Sequence, residues 1–444
     1  MRDMNIAIIE SPSIHFIKRI SDELNKRDNT TFPFIFDLKV RKWAEKLGFK
    51  HYPIRMEDLK KFNPDECSIN SEQINDIIKF NYSKNKKLKH SFINRAKILT
   101  QYFEEFYNKY KIDLVIILCD SGLVQGCAKY AAKRNQKILY WENGFFQGTL
   151  QIDSSGVSCN NSLQTKTKEF YEKVKIDKPK FEMFCKEYKK AKSTNLSKPL
   201  EDLGPTKLFE KIFYEIYTRS FFYRKTNPES AQPNIFSILS SFYRLIHRKF
   251  LWKTDRIRLP DKFIFIPLQA RHDTQVLVNS SGIDNMENLI SLCYDAIKTA
   301  APDYKIVVKE HPQEVGSVNY RDLKKKYQDI IWIRKFDIKK ILDKTSLIIT
   351  INSTVGMEAL IYHKAVIVLG DHFCNIDEIM YNVQELDKLK DYIRKALITP
   401  VNKNLVDKFV YYLRFNYLVE GNWKGEGIEK VVDRIETESL KISI

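Results

Sequence analysis

Long apolar runs are missing from this chain of 444 residues. No stretch approaches the roughly 18 uncharged apolar residues that a membrane-spanning helix needs. The N-terminal run Ile6 to Ile9 ends at Glu10 and Pro12, too soon for the apolar region of a secretory signal, so the protein is expected to stay in the cytoplasm. Glycine and proline are scarce at 14 each, which excludes collagen-like and low-complexity chains. The seven cysteines are scattered, with no Cys-x-x-Cys pair, so they are expected to be reduced and mostly buried. Neither they nor the eight histidines show metal-ligand spacing, and no metal or other cofactor is expected.

Several catalytic signatures are also missing. There is no G-x-x-x-x-G-K-[ST] loop and no G-x-G-x-x-G after a strand, which argues against P-loop NTPases and dinucleotide oxidoreductases. No G-x-S-x-G elbow occurs. No Asp-x-Asp occurs, which argues against a transferase that holds a nucleoside diphosphate through a divalent metal on that motif. Helix-turn-helix and RNA-module signatures are absent, so no nucleic-acid partner is expected.

What is present is a globular composition, 43% hydrophobic and 29% charged, long enough for two or three domains. The net charge of +18 favours anionic partners, although the lysines are spread along the whole chain and also fit a generally Lys-rich protein. Residues 207–258 carry 11 basic and 4 acidic residues and 12 aromatics, including Arg244, Arg248 and Lys249. Such a segment either lies on an anionic membrane surface or packs its aromatics between domains.

Apolar runs alternate with helical spacing in two blocks. Asn5 to Ile9, Phe32 to Phe36, Asp113 to Leu118 and Lys137 to Trp141 read as strands, with helices at Ile14 to Leu24 and Gly122 to Arg134. Lys262 opens the second block, with strands at 263–268, 304–308, 330–333, 347–351 and 366–369 and helices at 286–300, 338–343 and 354–362. Parallel βαβ units follow from this order, and the expected fold class is α/β with two Rossmann-like domains facing a central cleft and a helical segment between them. The expected boundaries are 1–165 for an acceptor-side domain and 166–258 for a basic helical linker or insertion. A nucleotide-sugar domain is expected at 259–398, and terminal helices at 399–444 packing back on the first domain.

Four constellations lie where strands end. In Tyr140-Trp141-Glu142-Asn143-Gly144-Phe145-Phe146, Glu142 suits a general acid or base, or simply opens a turn. In Gln269-Ala270-Arg271-His272-Asp273-Thr274-Gln275, Asp273 suits a nucleophile or a helix cap, and Gln269 and Gln275 suit a polyhydroxylated ligand. Lys309-Glu310-His311-Pro312 offers Lys309 and His311 to a phosphate, with Pro312 restricting His311 to extended backbone. In Asn352-Ser353-Thr354-Val355-Gly356-Met357-Glu358, hydroxyls at a helix start suit an anion or act as an ordinary cap, and Glu358 is placed to reach a ribose. Two phosphate-suited loops and two carboxylates together describe a nucleotide-sugar transferase.

With those residues in hand, the sequence resembles the capsule polysaccharide biosynthesis family, the β-Kdo transferases of Gram-negative capsule linkers, and its single-module members most. The matching stretches are Glu142-x-Gly144-Phe145 with Thr149-Leu150 and Gly156-Val157-Ser158, then Pro267-Leu268-Gln269 with Asp273-Thr274-Gln275, then His311-Pro312. Asn352-Ser353-Thr354-Val355-Gly356, Leu413-Arg414 and Gly421-Asn422 complete the series. Gln147 and Gly148 stand where the family has Arg and Pro. The resemblance implies a GT-B-like fold, a CMP-β-Kdo donor, retention through two carboxylates, and a lipid (lyso-phosphatidylglycerol-like) or glycan acceptor. It implies Asp273 as nucleophile and Glu142 as acid/base, with Lys309, His311, Pro312, Asn352, Ser353, Thr354 and Glu358 holding the nucleotide. Gln269, Arg271, Gln275, Gly144 and Gln147 fall to sugar and acceptor, and a peripheral association with the inner membrane is the further expectation. Two rival expectations are a GT-B transferase with another nucleotide sugar, and a non-catalytic lipid- or polysaccharide-binding component of capsule export.

Overall fold

The computed structural model describes residues 3–9, 13–35, 44–46, 48–52, 54, 57–84, 89–119, 122–132, 136–191, 255, 257–271, 273–280, 282–312, 314 and 320–442; of 80–84, 274 and 275 it describes the backbone only. The basic aromatic segment expected at 207–258 lies almost wholly outside the described residues, as does His272. The chain divides into two units, one formed by residues up to 162 and from 415 onward, the other by 163–191 and 255–414 among the described residues.

The first unit is built on β1 (Asn5–Ile9), β2 (Thr30–Phe34), β3 (Leu114–Leu118), β4 (Lys137–Asn143) and β5 (Thr149–Asp153). The order β5-β4-β3-β1-β2 is parallel from β4 to β2, with β5 antiparallel and the short strand Val419–Glu420 added at its edge. β1 and β3 are continuous apolar runs because helices cover both faces of the sheet. Ile6 and Ile8 point to one side, against Phe16 and Ile20 of helix Ile14–Lys26 and Val431 and Ile435 of helix Ile428–Lys441. Ala7 and Ile9 point to the other, against Leu99 and Phe103 of helix Lys89–Tyr110 and Val124 of helix Leu123–Ala131. The two-residue alternation of a strand decides which side each residue serves.

The second unit holds β6 (Phe263–Pro267), β7 (Lys305–Lys309), β8 (Ile330–Ile333), β9 (Leu347–Thr350), β10 (Ala365–Val368) and β11 (Tyr381–Asn382), all parallel, in the order β11-β10-β9-β6-β7-β8. This is the dinucleotide-type doubly wound order, in which the winding direction reverses between the first and fourth strands, here β6 and β9. Its core joins Ile264, Ile266, Val308 and Ile349 to Leu289, Cys293 and Ile297 of helix Met286–Ala300. That helix begins where Asn285 accepts from the Asn288 N–H.

The chain alternates as expected, and both units are Rossmann-like. Two placements differ from the linear reading. Helices Lys168–Glu172 and Lys178–Lys190 belong to the second unit, where Tyr171 packs on Phe409 and Phe181 on Tyr411. These aromatic contacts also keep helix Lys403–Tyr412 in the second unit, so of the expected terminal helices at 399–444 the part from 415 onward belongs to the first. Among the described residues no helix is long and apolar enough to cross a membrane.

Candidate active site

In doubly wound sheets, ligands lie beyond the carboxyl ends of the strands where the winding reverses. In the second unit that edge is formed by β6 and β9, with β7 beside β6. β6 ends at Pro267, paired with Lys309, and the Leu268 N–H donates to the Lys309 carbonyl (2.9 Å). Gln269 follows, only 3% exposed, its N–H on Met286 Sδ (3.3 Å). Its side-chain Nε2 donates to Asp273 Oδ2 at 3.5 Å, while its Oε1 is buried with no hydrogen-bond partner among the described residues. A turn closed by the Asp273 N–H on the Ala270 carbonyl (3.0 Å) brings the two residues together. The Asp273 carbonyl then starts the helix Thr274–Leu277 by accepting from Val276 and Leu277. Arg271 is exposed, with its N–H on Glu314 and its guanidinium 3.8 Å from Glu287. Gln275 lies in the short helix, its side chain outside the description.

At the end of β7, Lys309 is partly buried and makes no hydrogen bond or ion pair among the described residues. Burial pulls its pKa below the ordinary lysine value, with Asp255 and Glu310 acting the other way. Both of those carboxylates are already engaged. Glu310 pairs with Lys324 (2.7 Å) and Arg334 (3.7 Å), and Asp255 accepts the N–H groups of Arg334 (2.6 Å) and Lys335 (2.9 Å). His311 and Pro312 form the partly buried turn that follows, with the His311 carbonyl accepting from the Glu314 N–H.

Beyond β9, Asn352 Nδ2 donates to the Asp371 carbonyl, and Asn352 Oδ1 is buried without a partner among the described residues. Gly370 is required beside it, since a Cβ there would lie 2.3 Å from the Asn279 carbonyl oxygen. Ser353 caps helix Thr354–Leu360, its hydroxyl accepting the Val355 N–H, and Thr354 is exposed. Glu358 has a different setting from the ribose contact the sequence suggested. Its carboxylate accepts the Tyr188 hydroxyl near Lys339, and burial raises its pKa. Lys339 in turn donates to the carbonyls of Tyr188 and Ala191 at the end of helix Lys178–Lys190.

In the first unit Glu142 lies inside β4 rather than after it. The antiparallel ladder to β5 carries the strand on to Asn143 and pairs Glu142 with Gln151. Glu142 Oε1 accepts from the Asn143 N–H (2.8 Å) and Nδ2 (3.2 Å). Gly144 begins the hairpin, and a Cβ there would lie 2.0 Å from Thr149 Oγ1, which itself donates to the Phe146 carbonyl. Gln147 and Gly148 are exposed at the tip; Gly148 has φ +76 and its carbonyl accepts from Gly421. Sequence reasoning missed Asp153. Buried at 3% exposure, it accepts from the N–H of Ser155, the N–H and hydroxyl of Ser162, and the Tyr417 hydroxyl (3.0 Å). A groove of about 460 Å³ lined by Arg19, Asp22, Lys26, Gly425 and Lys430 holds none of the sequence-predicted residues. Among the described residues no three His, Cys, Asp or Glu side chains gather as metal ligands.

A family model described as capsule polysaccharide biosynthesis protein matches residues 115–397. The chain belongs to the capsule polysaccharide biosynthesis family. The family match runs from β3 through Glu142, Asp273, Lys309, His311 and Asn352 into helix Leu389–Ile398. Within reach of this family, the chain is 26% identical over 340 residues to Protein FixF of Sinorhizobium fredii, covering 75% of this chain and 68% of that protein. It is 24% identical over 314 residues to the capsule polysaccharide export protein KpsS of Escherichia coli, covering 66% and 75%. A solved structure of Thermosulfurimonas dismutans KpsC, a beta Kdo 2,7 transferase, aligns at a TM-score of 0.40 and 15% identity, over 77% of this chain and 90% of that one.

Proposed function

We propose that this protein is a glycosyltransferase of capsule polysaccharide synthesis that transfers Kdo from CMP-β-Kdo, with retention, to a lipid or glycan acceptor. The observation that carries the reading is the row of Lys309, Gln269 with Asp273, and Asn352 on three adjacent strand ends of a doubly wound sheet. A partly buried ammonium whose neighbouring carboxylates, Asp255 and Glu310, are already bonded to other groups is under-compensated, and a bound phosphate would offset that cost. One phosphate carries less charge than a diphosphate. Lys309, with His311 and the Ser353 and Thr354 hydroxyls as further donors, is suited to stabilise it as the leaving group.

The reaction then runs in two displacements. An Asp273 carboxylate oxygen attacks the anomeric carbon, the bond to the CMP phosphate breaks, and a glycosyl ester forms. Glu142 takes the proton of the acceptor hydroxyl, whose oxygen attacks the same carbon and releases Asp273 as the free carboxylate. Two inversions leave the configuration retained. The Gln147 side chain, exposed where the family has Arg, is assigned to acceptor contact.

Calorimetry with CMP, UDP and GDP, followed by transfer assays with CMP-Kdo, tests the proposal. Preference for CMP and loss of transfer in both Asp273→Asn and Glu142→Gln are expected. A UDP or GDP preference would replace the donor. Lipid or polysaccharide binding without any nucleotide binding would replace the enzyme by a binding component of export.

A further inference from the structure

The carboxamides of Gln269 and Asn352 form a matched pair. β6 and β9 are hydrogen-bonded neighbours, with Ile264 opposite Leu347 and Phe265 opposite Ile348. Gln269 and Asn352 each lie two residues beyond the end of their strand. The orientation of each amide is fixed by its nitrogen. Gln269 Nε2 faces a carboxylate oxygen of Asp273, and Asn352 Nδ2 faces the carbonyl oxygen of Asp371. Both partners only accept, so turning either amide over would set oxygen against oxygen. Each side chain is therefore left with its carbonyl oxygen pointing away from the bond it makes, buried and without a donor among the described residues.

Buried carbonyls without a donor are rare, because the lost hydration is not replaced. Here two occur, each two residues past the end of one of the two strands where the sheet reverses its winding. We propose that Gln269 Oε1 and Asn352 Oδ1 are a paired acceptor site for two hydroxyl donors of the ligand whose phosphate lies at Lys309. This deepens, and rests on, the nucleotide-sugar reading. The pair selects for hydroxyl-bearing faces and against faces that only accept, such as a carboxylate. The hydroxyls belong either to the ribose or to the transferred sugar, and the probes below separate the two.

Isothermal titration uses CMP, 2′,3′-dideoxy-CMP and CMP-Kdo, against the unmodified protein and the near-isosteric variants Gln269→Met and Asn352→Leu. If the pair holds the ribose, the unmodified protein binds the dideoxy nucleotide roughly tenfold or more weakly than CMP, and the variants bind both alike. If it holds the sugar, CMP and its dideoxy form bind alike, CMP-Kdo binds more tightly, and the variants lose that gain. The comparison of CMP with its dideoxy form uses unmodified protein, so misfolding of a variant cannot produce it. Binding of all three probes by folded variants at unmodified affinity, with no dideoxy effect, overturns the pair. Failure of the unmodified protein to bind any of the three overturns the nucleotide-sugar reading itself.

Discussion

The hairpin of the first unit and the strand ends of the second treat their polar side chains in opposite ways. Around β4 and β5, Glu142, Gln151, Asp153 and Thr149 are each bound to nearby backbone or side chains, so this part of the family pattern holds a local shape. At the ends of β6, β7 and β9, Gln269, Asn352 and Lys309 sit in or near the interior with bonding capacity unmet among the described residues. Motif matches of equal strength therefore mark two settings: a hairpin whose polar groups, Glu142 included, are held by bonds within the protein, and strand ends where two amide oxygens stay open among the described residues.

The sharpest way to break this contrast is Asp273→Asn. It keeps an acceptor for Gln269 and should hold the melting temperature while reducing kcat on the order of 10³-fold or more. Loss of stability with retained turnover would mark Asp273 as a structural residue and not the nucleophile. Asp153→Ala should do the reverse. It strands donors from Ser155, Ser162 and Tyr417, and should cost about 3 kcal/mol in urea denaturation while CMP affinity measured on folded protein stays the same. Gly144→Ala forces a Cβ into Thr149 and should cost about 1–3 kcal/mol by the same measurement; an unchanged midpoint would show that the hairpin can shift.

The smallest expected effect concerns Glu358. Its folded pKa is raised above the ordinary 4.5, mainly by burial. Its contribution to stability is therefore complete below pH 4.5 and is lost as pH rises through the folded value. Glu358→Gln, which stays neutral, should gain on the parent as pH climbs from 4.5 toward neutrality in melting experiments. A constant difference across that range would mean that the carboxylate is not held as described.

The sheets were legible because their inner strands are unbroken apolar runs. Residues 5–9, 114–118 and 263–267 need no period to be recognised, and helix Met286–Ala300 carries a plain cap and stripe. β5 does not stand out as a strand in the sequence, because Gln151 and Asp153 look like surface residues until Ser158, Ser162 and Tyr417 bond them. Helix Lys89–Tyr110 is the counter-example, since Phe92, Ala96, Leu99, Phe103 and Phe106 mark its buried face at three- and four-residue spacing that is legible in the sequence. At the site, residue types were readable but their bonding states were not. Gln269 and Asn352 both read as general hydrogen-bonding residues, and only the fixed nitrogen of each reveals which atom is open. Likewise, nothing local to Glu358 announces Tyr188 or Lys339, which arrive from distant helices.

Mass spectrometry of the intact protein incubated with CMP-Kdo and no acceptor tests the central claim most directly. The account predicts a one-sugar adduct that peptide mapping places on Asp273 and that Asp273→Asn does not form. Turnover of CMP-Kdo with no adduct on any trapping timescale, or an equal adduct on the Asn variant, would contradict it.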